Sequence, residues 1–198
     1  MKEIPYWNHN TAYYKWIKQQ TADCKSILDI GCGDGSLIAY LDDGSKNLTG
    51  IDSDRFCISK ANLENRSANT QFICCSFDDY ETKHIFDAII FVASIHHMDM
   101  AAAVEKAKTL LSLNGFLIVV GLAKPSSIFD YAVEMLRILP CKIISTFRQM
   151  QSSEYLNIPV SYHLPSFNEV RDISSRMLPC SVIKYGLYYR YLLKWTKQ

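Results

Sequence analysis

The sequence predicts an α/β domain. Its core is a doubly wound, seven-stranded, mostly parallel sheet of the Rossmann-like kind, ending in an antiparallel hairpin. Three observations carry this reading. Strand and helix patterns alternate through the first 120 residues. The strands among them are continuous apolar runs, as in sheets covered by helices on both faces. Two closely spaced strand patterns then close the chain, and so short a connection requires antiparallel pairing.

Residues 11–20 put Tyr13, Trp16 and Ile17 on one side of a helix and Lys15 and Lys18 on the other. Ser26 to Ile30 is a short buried-type strand, followed by a glycine-rich loop and a helix over Ser36–Leu41. A polar turn, Asp42 to Lys46, leads to a second strand, Leu48 to Asp52, which ends on an acid. Phe56 to Arg66 predicts a helix, Thr70 to Cys75 a third strand, and Ser76 to Asp79 a loop. Phe86 to Ala93 is the fourth, central strand. Ala101 to Leu111 is a helix rich in Ala and Leu, with Glu105, Lys106 and Lys108 on its wet face. Asn114-Gly115 ends that segment and opens a fifth strand, Phe116 to Gly121. Ser127 to Leu139 predicts a helix stopped at Pro140, and residues 141–165 are irregular. Ser166 is a cap near the start of a helix over Asn168–Met177. Cys180–Leu187 and Tyr189–Thr196 form the hairpin. Right-handed crossovers restrict such a chain to a doubly wound sheet.

The 198 residues suffice for one domain with a sizeable core, and 48% hydrophobic with 21% charged residues is ordinary for a folded chain. The net charge of +1 hides an asymmetry. Residues 1–99 carry 9 Lys/Arg against 14 Asp/Glu, net −5, whereas residues 100–198 carry 12 against 6, net +6. The basic half favours an anionic substrate. It has no dense Lys/Arg tract, which argues against a nucleic-acid surface. The seven cysteines form no CxxC pair, so neither a zinc nor a disulfide framework is visible, and scattered thiols suit a reducing compartment. The first residues lack the apolar stretch of a signal peptide, and no run approaches the ~18 apolar residues of a membrane span. A cytoplasmic location is the expectation.

Leu28-Asp29-Ile30-Gly31-Cys32-Gly33-Asp34-Gly35 is the most informative segment. Glycines at alternate positions let a cofactor approach the backbone closely. No Lys-Ser/Thr pair follows, which excludes a triphosphate P-loop. The spacing is GxGxG rather than the GxGxxG of dinucleotide sites, and Asp29 and Asp34 would repel a diphosphate. They would attract a ligand with a positive centre and an amine. S-adenosylmethionine has both. Asp52 lies 21 residues after Gly31 at a strand tip, where its carboxylate can accept from two ribose hydroxyls. In the loop after the third strand, Phe77 can stack on an adenine and Asp78 can accept from its exocyclic amine, with Ser76 beside them. All these loops emerge at the carboxyl side of the sheet, where open α/β sheets bind ligands.

On these residues the chain resembles the class I S-adenosylmethionine-dependent methyltransferases of the small-molecule type. Leu28 through Gly35 matches their first motif, Ile51-Asp52 their second strand and its ribose-binding acid, and Ser76-Phe77-Asp78 the place of their adenine contacts. Phe86 to Phe91 matches the fourth strand, and Leu110-Leu111 with Gly115-Phe116-Leu117 the approach to the fifth. The resemblance implies one methyltransferase domain over residues 1–198, S-adenosylmethionine as cofactor, and a small-molecule acceptor methylated at oxygen or carbon. It places Asp29 and Gly31 against the amino-acid portion of the cofactor. It assigns nothing to residues 123–168, which are either a substrate cover or elaboration, while the aromatic residues Tyr6, Trp7, Tyr13, Tyr14 and Trp16 suit residues 1–22 either as a lid helix or as packing against the sheet edge. Cofactor contacts are thus expected at Asp29, Gly31, Gly33, Gly35, Asp52, Ser76, Phe77 and Asp78.

His96 and His97 follow the fourth strand, where the transferred methyl should face its acceptor. Ala93-Ser94-Ile95-His96 departs from the Asn-Pro-Pro-Tyr and Asp-Pro-Pro-Tyr patterns of many N-methylating relatives. A histidine there can take a proton from a hydroxyl or carbon acid. Arg137, Arg148, Tyr155, His163 and Arg171 are further acceptor contacts to consider. Two other readings stand beside this one: methylation of RNA or protein, and a non-catalytic subunit that only binds the cofactor.

Overall fold

The structure, a computed structural model, describes residues 8–65, 67–125, 128, 164–187 and 190–198. Its strands are β1 (Ser26–Ile30), β2 (Asn47–Asp52), β3 (Thr70–Cys74), β4 (Phe86–Val92), β5 (Leu111–Leu122), β6 (Val182–Tyr185) and β7 (Arg190–Thr196). The α-helices among the described residues are α1 (Tyr14–Gln20), α2 (Ser36–Leu41), α3 (Arg55–Glu64), α4 (Met100–Leu110) and α5 (Phe167–Met177). The strands form one sheet in the order β3-β2-β1-β4-β5-β7-β6. Pairing is parallel from β3 through β5, while β7 runs antiparallel to both β5 and β6. The class I methyltransferase architecture expected from the sequence is therefore present.

The apolar runs explain this order. Ala88, Ile89, Ile90 and Phe91 of β4, and Leu117 through Val120 of β5, are all 0% exposed. Strands buried on both faces must lie in the middle of a covered sheet. Alternate residues feed two cores. Leu28, Ile30, Ile89, Phe91, Leu117 and Val119 pack with Val104 and Ala107 of α4 and Val170 of α5. Ile27, Ile90, Ile118 and Val120 pack with Ile17 of α1 and Ile38 and Leu41 of α2. The chain winds outward from β1 to β3 and then returns to β4 beside β1. That reversal opens a crevice at the carboxyl ends of β1 and β4.

Several boundaries differ from the sequence expectation. Residues 11–13 form a 3-10 turn ahead of α1, which changes the angular step between side chains. Tyr14 is consequently buried, its hydroxyl 2.8 Å from Ser36 Oγ, while Trp16 is only partly covered. Leu111 does not end the preceding helix. Its backbone is already extended, and it pairs with Phe86 as the first residue of β5. Asn114-Gly115 is then an irregularity within β5, not its start. Asn114 takes φ 63°, a conformation that asparagine tolerates, and donates to Lys197 O at 2.8 Å. The Ser166 cap is confirmed as a full capping box: its hydroxyl accepts from Glu169 N at 3.2 Å and Glu169 Oε2 accepts from Ser166 N at 2.6 Å. Of the helix expected over Ser127–Leu139 only residue 128 is described, and 141–163 lie outside the described residues. No helix among the described residues is long and apolar enough to cross a membrane.

Lys46 is a buried cation, 4% exposed, just before β2. Its ammonium donates to the carbonyls of Thr21 (3.2 Å), Ala22 (2.7 Å) and Cys24 (2.9 Å). These lie just past the end of α1, where carbonyls are left without helical partners and a cation is favoured. The lysine thus pins the α1–β1 connection to β2. Lys46→Met should strand these carbonyls and cost about 2–3 kcal/mol. Thermal denaturation should show a Tm lower by roughly 5–10 °C.

Candidate active site

Three loops meet at the carboxyl ends of β1, β2 and β4. The first follows β1. Gly31 has φ +72°, and a Cβ there would lie 2.4 Å from Ser94 Cβ, so both conformation and space demand glycine. The N–H groups of Gly31 and Cys32 both donate to Ile51 O, at 2.8 and 3.0 Å. Gly35, at φ +74°, lets the start of α2 settle on Phe72, whose ring would be 2.7 Å from an added Cβ. Nothing lies within 4 Å of the Cβ position of Gly33, so this residue borders open space.

Asp52 at the tip of β2 fixes this loop. Its Oδ2 accepts from Gly33 N at 2.9 Å and its Oδ1 from Asp54 N at 2.9 Å. A carboxylate has about four acceptor sites, so both oxygens retain capacity for a ligand's hydroxyls. Asp54 in turn caps α3, accepting from Phe56 N at 2.7 Å.

Asp29 is 2% exposed, and its Oδ1 has no hydrogen-bond partner. Burial first, and the nearby charge of Asp52 second, push its carboxyl up to about 7. A buried acceptor of this kind beside a second acid is prepared for a cation. Asp34 serves the loop itself: Lys60 Nζ lies 3.0 Å from its Oδ2, and Ser36 N donates to its Oδ1 at 3.2 Å.

In the loop after β3, the Ser76 hydroxyl donates to Asp79 Oδ2 at 2.7 Å and accepts from Asp79 N at 3.1 Å. Asp78 is exposed, and its carbonyl accepts from Lys106 Nζ at 2.8 Å. Phe77 behaves differently from the stacking platform expected of it. It is 4% exposed, meets Phe91 edge-on with centroids 5.8 Å apart, and has the Lys106 ammonium 5.1 Å from its ring centre. The ring anchors the loop in the core, packed on Phe91 and covered by the Lys106 ammonium.

Beyond β4, Ser94 donates to Ile30 O at 2.5 Å and Ile95 is buried. These two fix the turn that carries the histidines. The rings of His96 and His97 lie 4.1 Å apart. His97 is exposed, while His96 Nδ1 is buried without a partner. Burial, then His97 and Arg190, lower His96 to about 4, so its imidazole is neutral at physiological pH.

Arg190 went unnoticed in the sequence. It opens β7 opposite Leu122, is 9% exposed, and donates to Asn10 Oδ1 at 2.5 Å. Nothing in the sequence separates it from Lys194, the other cation of the same strand. Of the acceptor contacts considered earlier, Arg171 lies over the Phe167 ring at 5.0 Å, a packing role. Arg137, Arg148, Tyr155 and His163 are outside the described residues.

Two expectations follow for the acids. Asp29→Asn should stabilise the free protein, because the folded carboxyl holds its proton more tightly than the unfolded one. The gain should be absent below pH 4, grow as pH rises toward 7, and level off above, as read by Tm across pH. Asp52→Ala should leave the fold intact and weaken binding of S-adenosylhomocysteine roughly 10- to 100-fold by calorimetry.

Residues 27–115 match the family described as "Methyltransferase domain". Over 193 residues the chain is 25% identical to "Uncharacterized methyltransferase Rv0089" of Mycobacterium tuberculosis, covering 96% of each chain. The N-methyltransferase NodS of Bradyrhizobium japonicum, solved with S-adenosylhomocysteine, superposes with a TM-score of 0.65 at 15% identity, covering 99% of this chain and 93% of that one. Magnesium protoporphyrin IX methyltransferase of Synechocystis, also with S-adenosylhomocysteine, gives 0.63 at 15% identity, covering 96% and 83%. The two structures share this fold, and residues 27–115 match a methyltransferase domain, so the chain carries a methyltransferase domain set in the class I fold.

Proposed function

We propose that this chain transfers the methyl group of S-adenosylmethionine to a small-molecule acceptor, at oxygen or carbon. The observation that carries the cofactor assignment is the pair Asp29 and Asp52 at the switch point, one of them buried with an acceptor oxygen to spare. Asp52 holds the ribose hydroxyls, and its bond to Gly33 keeps its carboxylate aimed. Asp29 receives the ammonium group. Gly31 and Gly33 allow the amino-acid portion to lie on the backbone, and Gly35 keeps the loop in shape. Ser76 and Asp78 border the adenine, Asp78 accepting from its exocyclic amine, while Phe77 supports that loop from the core.

The bound cofactor supplies an already activated methyl on a sulfonium. The protein's task is to align the acceptor with it and exclude water. The acceptor's electron pair forms the bond to the methyl carbon as the carbon–sulfur pair returns to sulfur, and the acceptor's proton leaves to a base. Neutral His96 is that base, and His97 helps keep it neutral. This favours a hydroxyl or carbon acid as acceptor. The neighbour NodS is by name an N-methyltransferase, so the fold alone does not select the atom.

Incubation of the full chain with labelled cofactor and a metabolite extract tests the proposal. Label in small molecules supports it. Label only in polymer points to RNA or protein, and tight cofactor binding with no label points to a binding subunit. Once an acceptor is in hand, His96→Ala should lower kcat roughly 10²- to 10⁴-fold while leaving cofactor affinity unchanged. Because His96 is neutral above about pH 4, the wild-type kcat should show no His96 limb between pH 6 and 8. Full turnover in His96→Ala would remove the base assignment.

A further inference from the structure

A cavity of about 360 Å³ lies at the amino ends of β2, β3 and β4, away from the crevice. Its volume falls in the range of roughly 300–1,000 Å³ that holds small molecules. β2 runs from Asn47 at this cavity to Asp52 at the crevice, a separation of about 17 Å along the strand. The floor is the sheet, and the wall is the β3–β4 connection. That connection, residues 75–85, contains no helix, so a loop faces this corner of the sheet.

The sequence of the floor changes character here. Ile89, Leu28, Thr49 and Gln71 form one row across four neighbouring strands. Ile89 and Leu28 are buried in the core beneath α4, whereas the outer two are polar. Leu48 enters the opposite core, so Asn47 and Thr49 face the same side as that row. The side chains of Asn47, Thr49 and Gln71 make no hydrogen bond to any described residue. Their surroundings, by contrast, are held in place. Asn69 Nδ2 donates to Gly44 O at 2.9 Å. His84 Nε2 lies 2.7 Å from Ser26 Oγ, and its ring meets Phe86 edge-on with centroids 4.8 Å apart. Tyr80 is 7% exposed and anchored in the core. A fixed wall around unpaired polar groups is a preorganised site.

The lining selects the chemistry. Among the described residues that line the cavity there is no acid, lysine or arginine. A charged ligand would lose hydration there without a partner of opposite sign. The unpaired amides and hydroxyl each donate and accept, which matches ligand groups that also do both, namely hydroxyls. We propose that this cavity is a second binding site for a neutral polyhydroxyl ligand of monosaccharide size. Asn47, Thr49 and Gln71 bond its hydroxyls, and the Tyr80 and Phe86 rings border its carbon skeleton. The site stands apart from the methyltransferase reading and shares no residue with the cofactor contacts.

The test titrates the full, nitrogen-15-labelled chain with glucose and with N-acetylglucosamine, read by amide NMR. At least one sugar should give saturable shifts with a Kd of about 1–10 mM. The shifts should be confined to residues 47–49, 69–71 and 80–86, while the glycine loop stays unchanged and S-adenosylhomocysteine still binds. Glucose 6-phosphate, which adds charge, should bind at least roughly 10-fold more weakly. The double variant Thr49→Val, Gln71→Leu should weaken the sugar roughly 10-fold or more, with S-adenosylhomocysteine affinity unchanged. No saturable shift from either sugar at about 50 mM overturns the site. So does equal affinity in the double variant, equal binding of glucose 6-phosphate, or binding of planar uracil in place of both sugars. Each of these results leaves the methyltransferase reading intact, whereas failure of the wild-type chain to bind S-adenosylhomocysteine counts against that reading alone. Should the double variant fail to fold, Gln71→Ala, at an exposed position, takes its place with the same expectation.

Discussion

The crevice depends on the contact between the glycine loop and the tip of β2. Asp52 accepts from Gly33 N with one oxygen and from Asp54 N with the other, and Ile51 O receives two further N–H groups from Gly31 and Cys32. Three of these hydrogen bonds tie the loop after β1 to a single dipeptide, and the fourth, from Asp54 N, holds the Asp52 carboxylate to its own turn. The arrangement works only if the loop lies almost on the neighbouring backbone. That is why Gly31 sits where any Cβ would collide with Ser94. Ser94 is in turn bonded to Ile30 O, so the turn beyond β4, and with it His96, is placed by the same contact. One constraint at the sheet's switch point positions Asp52, the glycine-loop backbone and the histidine turn together.

This geometry carries an energetic cost in the free chain. Burying Asp29 within reach of Asp52 disfavours its ionised form, and leaving Oδ1 without a donor adds a desolvation penalty. A structural acid would have been given a lysine, as Asp34 was given Lys60. The two buried acids, five residues apart, thus differ in kind: Asp34 is paired with a cation, whereas Asp29 keeps an acceptor oxygen without a donor. A cationic ligand reverses the balance at Asp29. Near neutral pH its arrival draws off the carboxyl proton, so binding and ionisation are linked.

Much of the fold was legible because the apolar runs of β1, β4 and β5 have no other way to be buried than in the middle of a covered parallel sheet. The glycine loop and Asp52 were legible because spacing along a strand–loop–strand unit nearly fixes their position. What sequence could not convey was direction. Phe77 reads the same whether its ring turns to a ligand or, as it does, to Phe91. Leu111 follows a helix without a breaker, so local pattern extends the helix while pairing with Phe86 starts a strand. The N-terminal segment changes phase because a 3-10 turn advances by three residues rather than 3.6, which brings Tyr14 inward in place of Trp16. Arg190 was hidden because the strand also carries Lys194, and only the structure shows that Arg190 is buried.

The surroundings of His96 bear on the state of its ring. Burial alone lowers an imidazole, and the neighbouring His97 and Arg190 lower it further. A carboxylate beside it would have done the reverse, raising the imidazole toward its charged form. As it stands the ring keeps a lone pair, and its buried Nδ1 has no hydrogen-bond partner, so the turn beyond β4 presents a neutral acceptor rather than a second cation.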